Sequence, residues 1–345
     1  MRNDRLGDFM LAWPALQMIA QNLPQAELTL LARDYTAPLA HLCRGVAEVI
    51  CDPAVEGDFA NARALARLLR PTRFDAAVAL FSRFDTALGL VLARIPLRAA
   101  PATKLAQIFY THRLRQHRSR SEKPEYVYNL ELAAHFLGAL GVADPVWPQV
   151  PYLAFPDDEV FAVKQRLAMR LGFDPSRALV FLHPGHGGSS AMPSPRLFAR
   201  IGRALEADGA ELVISAGPAD GPAASALARE LGDVPHAIYR SDSGLADYAR
   251  HVAATDLFVS GSTGPLHIAG ALDRPTAAFY PRRRSATALR WQAMNGEDRR
   301  LAFMPPSGAE ENDYDAINFP AAIERIRALL REGPHRASAP TDLHI

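Results

Sequence analysis

Cysteine is nearly absent from this chain. The two present in 345 residues, Cys43 and Cys51, lack the spaced Cys/His partners of a zinc site and read as core or near-surface thiols. A charge excess is absent too: 38 Lys and Arg against 37 Asp and Glu leave a formal charge of +1, so bulk charge names no partner. Without a basic excess or a recognised binding module, nucleic acid is not expected as a partner. No apolar run approaches the ~20 residues needed to span a bilayer, and no signal-like segment follows a basic start. These absences predict a cytoplasmic protein and leave peripheral attachment to a membrane face open.

The remainder, 49% hydrophobic and 22% charged, is ordinary globular composition. At 345 residues the chain exceeds the size at which one core keeps growing, which predicts two domains. Apolar spacing from Phe9 to Leu23 predicts a helix stopped by Pro24. Strands are expected at Glu27 to Ala32, Val46 to Cys51 and Ala76 to Phe81, with helices at Tyr35 to Arg44 and Ala60 to Leu69. After Leu97 the pattern breaks into a basic loop reaching Lys123, and a helix follows from Tyr126 to Leu140. A Pro-rich connection, Val146 to Pro156, then reads as a linker.

Beyond it the alternation restarts. Strands are expected at Leu179 to His183, Glu211 to Ser215, Ala237 to Tyr239, Leu257 to Ser260 and Thr276 to Tyr280, with helices before and between them. The order predicts α/β architecture: two doubly wound parallel sheets, residues 1–152 and 153–319, then a helix at 320–332 and a polar tail at 333–345.

Two Gly-rich turns follow strands of the second half. Ser262-Thr263-Gly264-Pro265-Leu266-His267 opens a helix that Thr263 can cap and Pro265 can begin, leaving free amides and a positive helix end for a phosphate. A well-capped helix with no ligand is the plain alternative. His183, Pro184, Gly185 and His186 lead into Gly187, Gly188, Ser189 and Ser190, where backbone amides can form an anion-holding concavity. This turn lacks the lysine and spacing of a P-loop and is no dinucleotide fingerprint. Together the turns are stronger than either alone, because both leave one edge of one sheet.

In the first half, Arg2 to Asp8 is a charged turn feeding a helix. Asp8 reads either as first-turn electrostatics or as a general base. The run Arg98 to Lys123, with Lys104 and Arg113 among its bases, reads as a solvated surface or as a recognition element for an anionic substrate or acidic lipid. Arg282, Arg283, Arg284 and Arg290 follow the last expected strand and could reach a diphosphate.

Over nearly its whole length the chain resembles family 9 glycosyltransferases, the ADP-heptose:lipopolysaccharide heptosyltransferase group. The resemblance rests on Arg5-Leu6-Gly7-Asp8 with Pro14-Ala15-Leu16, on His183-Pro184-Gly185, and on Ser262 to His267, in that order and spacing. It implies a GT-B fold, two Rossmann-like domains facing a central cleft, with the nucleotide sugar mainly on the second domain and the acceptor on the first. It implies an inverting enzyme that uses no metal or other cofactor, with Asp8 deprotonating the acceptor hydroxyl. Donor contacts are expected from His183, Gly185, Gly187, Gly188, Ser189, Ser190, Ser262, Thr263, Gly264, His267 and Arg282, and acceptor contacts from Arg5, Lys104 and Arg113. The expected partners are a nucleotide sugar, ADP-heptose or another, and an anionic lipopolysaccharide core or other glycan acceptor, with peripheral contact to the cytoplasmic face of the inner membrane left open, as is the oligomeric state.

Three departures from the family pattern stand out. Ser190 lies near the place of a common lysine, whose charge one of the four arginines would replace. Ser262 occupies a position that is often acidic or amide. The short apolar strand that usually precedes the first motif is missing from the chain as written, which suggests a misassigned start. A GT-B nucleotide-sugar epimerase and a non-catalytic nucleotide-sugar-binding protein are the alternatives.

Overall fold

A computed structural model of the chain describes residues 1–103, 105–185, 192–283 and 286–333. The chain divides into two compact units, Met1–Tyr152 and Leu153–Ile345.

In the first unit, helices α1 (Leu6–Met10) and α2 (Trp13–Asn22) lead to strand β1 (Leu28–Ala32). A 3-10 turn, Asp34–Thr36, and the short helix α3 (Ala37–Ala40) then lead to β2 (Val46–Cys51). The continuous helix expected over Tyr35 to Arg44 is thus broken: Pro38 supplies no N–H for it, and the chain turns back at once into β2. Helix α4 (Asp58–Leu69), β3 (Ala76–Val78) and α5 (Phe84–Leu92) follow.

The basic stretch after Leu97 is not the loop that its charge suggests. It contains β4 (Leu97–Pro101), a 3-10 turn (Leu105–Phe109) and β5 (His112–Leu114), and Ala99 pairs with His112. Buried Ala99, Ala100 and Pro101 carry β4, while Arg98 donates to the Phe109 carbonyl at 2.8 Å. A single-sequence pattern does not separate such short strands from a loop. Helix α6 (Glu125–Ala139) completes the unit.

All strands of this unit run parallel, in a pair β1-β2 and a triplet β3-β4-β5. Between them lies the first residue pair of the chain. Arg2 N donates to the Leu31 carbonyl at 3.1 Å, and Leu80 N donates to the Met1 carbonyl at 3.2 Å. Met1 and Arg2 therefore act as a strand stub that ties the carboxyl ends of β1 and β3.

An apolar cavity of about 90 Å³ lies beside Met1, lined by Leu28, Leu30, Ala77, Val78 and by Leu16 and Phe136 from the helices. At roughly 24 cal/mol per Å³, a void of about 90 Å³ represents on the order of 2 kcal/mol of lost packing. A designed extension of about five apolar residues ahead of Met1, an ordinary strand length, should pair both neighbours and fill the void. It should raise the thermal unfolding midpoint by about 5 °C in differential scanning calorimetry. An unchanged midpoint would show that the cavity does not accept a strand.

The second unit opens with α7 (Asp157–Leu171) and continues as β6 (Leu179–His183), α8 (Pro195–Ala207), β7 (Glu211–Ala216), α9 (Gly221–Leu231), β8 (Ala237–Arg240), α10 (Leu245–Ala253), β9 (Leu257–Gly261), α11 (Gly264–Ala271), β10 (Thr276–Phe279), β11 (Arg300–Phe303) and α12 (Phe319–Glu332). Six parallel strands lie in the order β11-β10-β9-β6-β7-β8. All five residues of β6 are buried, as are all five of β9, which is why both read as unbroken apolar runs. Leu197, Phe198, Ile201 and Leu205 of α8 join Leu227 of α9 and Ile326 of α12 in one core against the sheet. Among the described residues no helix is long and apolar enough to cross a membrane.

Candidate active site

The strand order of the second unit reverses between β6 and β9: β7 and β8 extend to one side, β10 and β11 to the other. Loops leaving adjacent strands there part in opposite directions and open a crevice at the carboxyl edge. His183 pairs with Ser260 in register, so the His183-Pro184-Gly185 turn and the Ser262-Thr263-Gly264 turn leave this edge side by side. Gly187, Gly188, Ser189 and Ser190 lie outside the described residues, as does Arg284.

Thr263 holds the N-cap position of α11 with extended backbone, φ −129° and ψ 165°, but its side chain makes no capping bond. Its Oγ1 is buried and has no hydrogen-bond partner among the described residues. A buried hydroxyl left unsatisfied costs about 1–3 kcal/mol, a cost that an acceptor oxygen placed beside it at the positive end of the helix would relieve. The sequence-level expectation of a capping threonine therefore gives way to a hydroxyl left open beside the Gly264 amide. Ser262 is only partly buried, and its amide donates to the Phe279 carbonyl.

Replacing Thr263 with Val keeps the shape and removes the orphan oxygen. The expected result is unchanged or raised stability without ligand and about tenfold weaker nucleotide-sugar binding by isothermal titration. Equal affinity in both proteins would rule out a ligand contact.

The His183 ring lies between Ser215 and Asp220, its Nε2 3.9 Å from Asp220 Oδ2. The imidazole is buried, with Nδ1 3.0 Å from both the carbonyl and Oγ of Ser215, and burial pushes its pKa down, with Asp220 acting the other way. Its part is to anchor the turn. Asp220, just ahead of α9, accepts from the Gly217 amide at 3.0 Å and stands so close to Gly185 that a Cβ there would collide with its carboxylate. A larger residue at Gly185 would have to displace the Asp220 carboxylate from the Gly217 amide. Asp220 and Ser215 carried no motif signal, because their roles depend on neighbours more than thirty positions away.

His267, on α11, is also buried. Burial lowers its pKa to about 4, and Nδ1 has no partner among the described residues. The folded ring stays neutral while the unfolded one takes up a proton below its ordinary value of 6.5. The unfolded state then binds more protons, so stability should fall as pH drops from 6.5 toward 4, by at most ~1.4 kcal/mol per pH unit for this group. Unfolding midpoints across that range should show a shallower slope for His267→Met, and an identical slope would assign the dependence elsewhere.

The arginines after β10 are partly engaged. Arg282 donates to Ser307 Oγ at 3.1 Å, Arg283 pairs with Glu311 at 3.2 Å, and Arg290 lies over the Trp291 ring. Cys43 is buried and Cys51 exposed, both as free thiols.

In the first unit, Asp8 sits in the first turn of α1 at the carboxyl edge, and about 25% of its side chain is exposed. Its Oδ1 accepts from Arg2 Nη2 at 2.8 Å, while Arg2 Nε lies 2.9 Å from Asp4 Oδ1. Arg2 is buried at 2% exposure, directly after the strand stub, so its guanidinium is fixed between two carboxylates. Burial works against its charge, but Asp4 and Asp8 outweigh that and raise its pKa. Asp4 moves up to about 6: burial raises it, Arg2 opposes, and the neighbouring Asp8 raises it further.

A second polar chain shares this edge. Asn61 donates to Asp85 Oδ2 at 2.9 Å and to Asp52 Oδ1 at 3.3 Å, and Asn3 donates to Asp52. Asp85 also accepts from Arg83 and from the Thr86 amide, and these bonds hold it below the usual carboxylate range despite its burial. Arg5 and Arg113 are exposed, and Lys104 lies outside the described residues. Arg2 and Asp4 stood in the same charged run as Asp8; only the fold shows that the three are one cluster. Among the described residues no group of three His, Cys, Asp or Glu could hold a metal ion.

Known proteins resemble the chain throughout. A model of glycosyltransferase family 9 (heptosyltransferase) matches residues 62–298. A Haemophilus influenzae protein whose name places it among glycosyltransferases is 38% identical over 332 residues, 96% of this chain and 95% of its own length. Lipopolysaccharide heptosyltransferase 2 of Salmonella typhimurium is 25% identical over 287 residues, 80% of each chain. The solved structure of E. coli ADP-heptose lps heptosyltransferase II superposes with a TM-score of 0.76 at 19% identity, covering 95% of this chain and 97% of its own. That likeness gives the fold, GT-B, with its two Rossmann-like domains.

Proposed function

We propose, for a chain that belongs to glycosyltransferase family 9, that it transfers heptose from ADP-heptose to an anionic lipopolysaccharide core acceptor at the cytoplasmic face of the membrane, inverting the anomeric carbon without a metal. The Salmonella relative, named for lipopolysaccharide heptosyl transfer, supports the choice of donor and acceptor. The observation that carries the reading is the orphan Thr263 hydroxyl at the N-terminus of α11, on the switch-point edge.

The chemistry needs two opposite things. An acceptor hydroxyl must lose its proton as it attacks, and a nucleoside diphosphate must leave with growing negative charge. Asp8 meets the first need: Arg2 orients the carboxylate through Oδ1, and the exposed part of the side chain is available to the acceptor. A single displacement by the deprotonated oxygen inverts the anomeric centre. Thr263 Oγ1 and the α11 end meet the second, because preorganised donors stabilise charge that develops on the leaving diphosphate. His183 and Asp220 hold the neighbouring turn in place beneath it.

The test is a panel of nucleotide sugars screened by ligand-induced thermal shift and then by transfer to a lipopolysaccharide core acceptor. Stabilisation by ADP-heptose above its UDP and GDP counterparts, with transfer, is expected. Preference for another nucleotide, or consumption of donor without an acceptor, would overturn the assignment.

A further inference from the structure

Three phenylalanines from three successive connections meet on one face of the first unit. Phe59 opens α4, Phe84 opens α5, and Phe109 ends the 3-10 turn after β4. Ring centroids are 5.5 Å apart from Phe59 to Phe84, and 5.5 Å from Phe84 to Phe109. Phe59 is 63% exposed, and on the turn that Phe109 ends Leu105 is 82% and Ile108 69% exposed. Buried Ala106 and Tyr110 fix the same turn from beneath, so these tips stand on a packed base. Apolar side chains clustered this way, rather than scattered singly, mark an interaction surface.

The surrounding charge has one sign on one side. From Thr86 to Ser121 the sequence contains no Asp or Glu, yet it carries Arg94, Arg98, Lys104, Arg113, Arg115, Arg118 and Arg120. Arg98 is taken up by backbone carbonyls and Arg118 by Glu125. Arg113 and Arg115 are exposed and have no ion-pair partner among the described residues. They border the apolar tips, because the Ala102 amide donates to the Leu114 carbonyl at 2.8 Å, just before the turn. Glu56 and Asp58 flank Phe59, so the positive side is that of the turn and β5.

We propose that this face seats on an anionic lipid bilayer, with Leu105, Ile108 and Phe59 at the boundary of headgroups and acyl chains and Arg113 and Arg115 on lipid phosphates. Apolar tips supply shallow insertion, and each basic residue adds attraction to an anionic surface. The strands are parallel, so Phe59 and Phe84, which follow β2 and β3, share the carboxyl edge of the unit with the turn bearing Asp8. Seating there brings a membrane-anchored acceptor to the edge that holds the base. This last consequence rests on the proposed transfer reaction; bilayer binding does not.

The experiment is co-sedimentation of the full chain with phosphatidylcholine vesicles, with or without phosphatidylglycerol. The chain is expected to bind the anionic vesicles and to be released by salt. Leu105→Ser combined with Ile108→Ser, and separately Arg115→Glu, should each weaken binding about tenfold or more at an unchanged unfolding midpoint. The Leu105 and Ile108 variant should also keep its turnover on an acyl-free, water-soluble acceptor.

No binding by the parent chain would overturn the proposal, as would variants that bind as well as it does. So would a concentration-dependent dimer that the same variants abolish, which would give the face to a second copy. Failure of vesicle binding with transfer intact would sink this inference alone. Vesicle binding without transfer would sink only the reaction assigned above.

Discussion

Asp8→Asn is expected to lower turnover by about three orders of magnitude while leaving donor binding within about twofold of the parent chain. The amide keeps the shape of the carboxylate and can still accept from Arg2, so the turn should survive. It cannot take the acceptor's proton, and general-base contributions of ~10²–10⁴ set the scale. Single-turnover transfer measured beside donor-induced thermal shift separates the two effects. A variant that loses donor binding as much as turnover would make Asp8 a structural residue, and one that transfers normally would remove it from the chemistry.

The second large effect lies one bond away. Arg2→Met removes a guanidinium that is 2% exposed and sits between Asp4 and Asp8, so the two carboxylates lose the positive charge they share. Breaking a buried pair from one side costs roughly 3–5 kcal/mol, so the unfolding midpoint should drop by on the order of 10 °C. Adding Asp4→Asn to Arg2→Met should recover part of that loss, because Asp4 is the more buried partner and already sits up at about 6. Calorimetry of both variants checks the pair. A midpoint unchanged in Arg2→Met would mean that the ion pairs contribute nothing to the fold, and that Asp8 is oriented by other contacts.

How much of this was legible beforehand depends on whether a residue acts through chain neighbours. The β6 and β9 strands were readable as apolar runs because both faces are covered, and the turns after them because glycine and proline leave a local mark. Asp8 stood out only by its order relative to those turns. The stretch from Leu97 to Lys123 has the pattern of a loop because its two strands are short and basic residues interrupt them; its arginines are partly consumed by backbone carbonyls and Glu125. Local pattern puts Thr263 at the helix start, where the structure has it, but whether its hydroxyl turns inward to cap or stays open is a rotamer choice that sequence does not encode.

Local pattern along the chain is enough for the architecture: the alternation of apolar runs and amphipathic stretches admits little except two parallel α/β units, and the ordered motifs identify the family. Tertiary structure alone decided which charges act together. It joined Arg2, Asp4 and Asp8 into one buried cluster, turned His183 inward onto Ser215, and set Asp220 against Gly185. It also showed Met1 and Arg2 serving as a strand stub beside an apolar cavity. The physical reason is range. Periodicity and turn chemistry act over a few residues of backbone, whereas burial, ion pairing and orphaned hydroxyls depend on side chains brought together from distant positions.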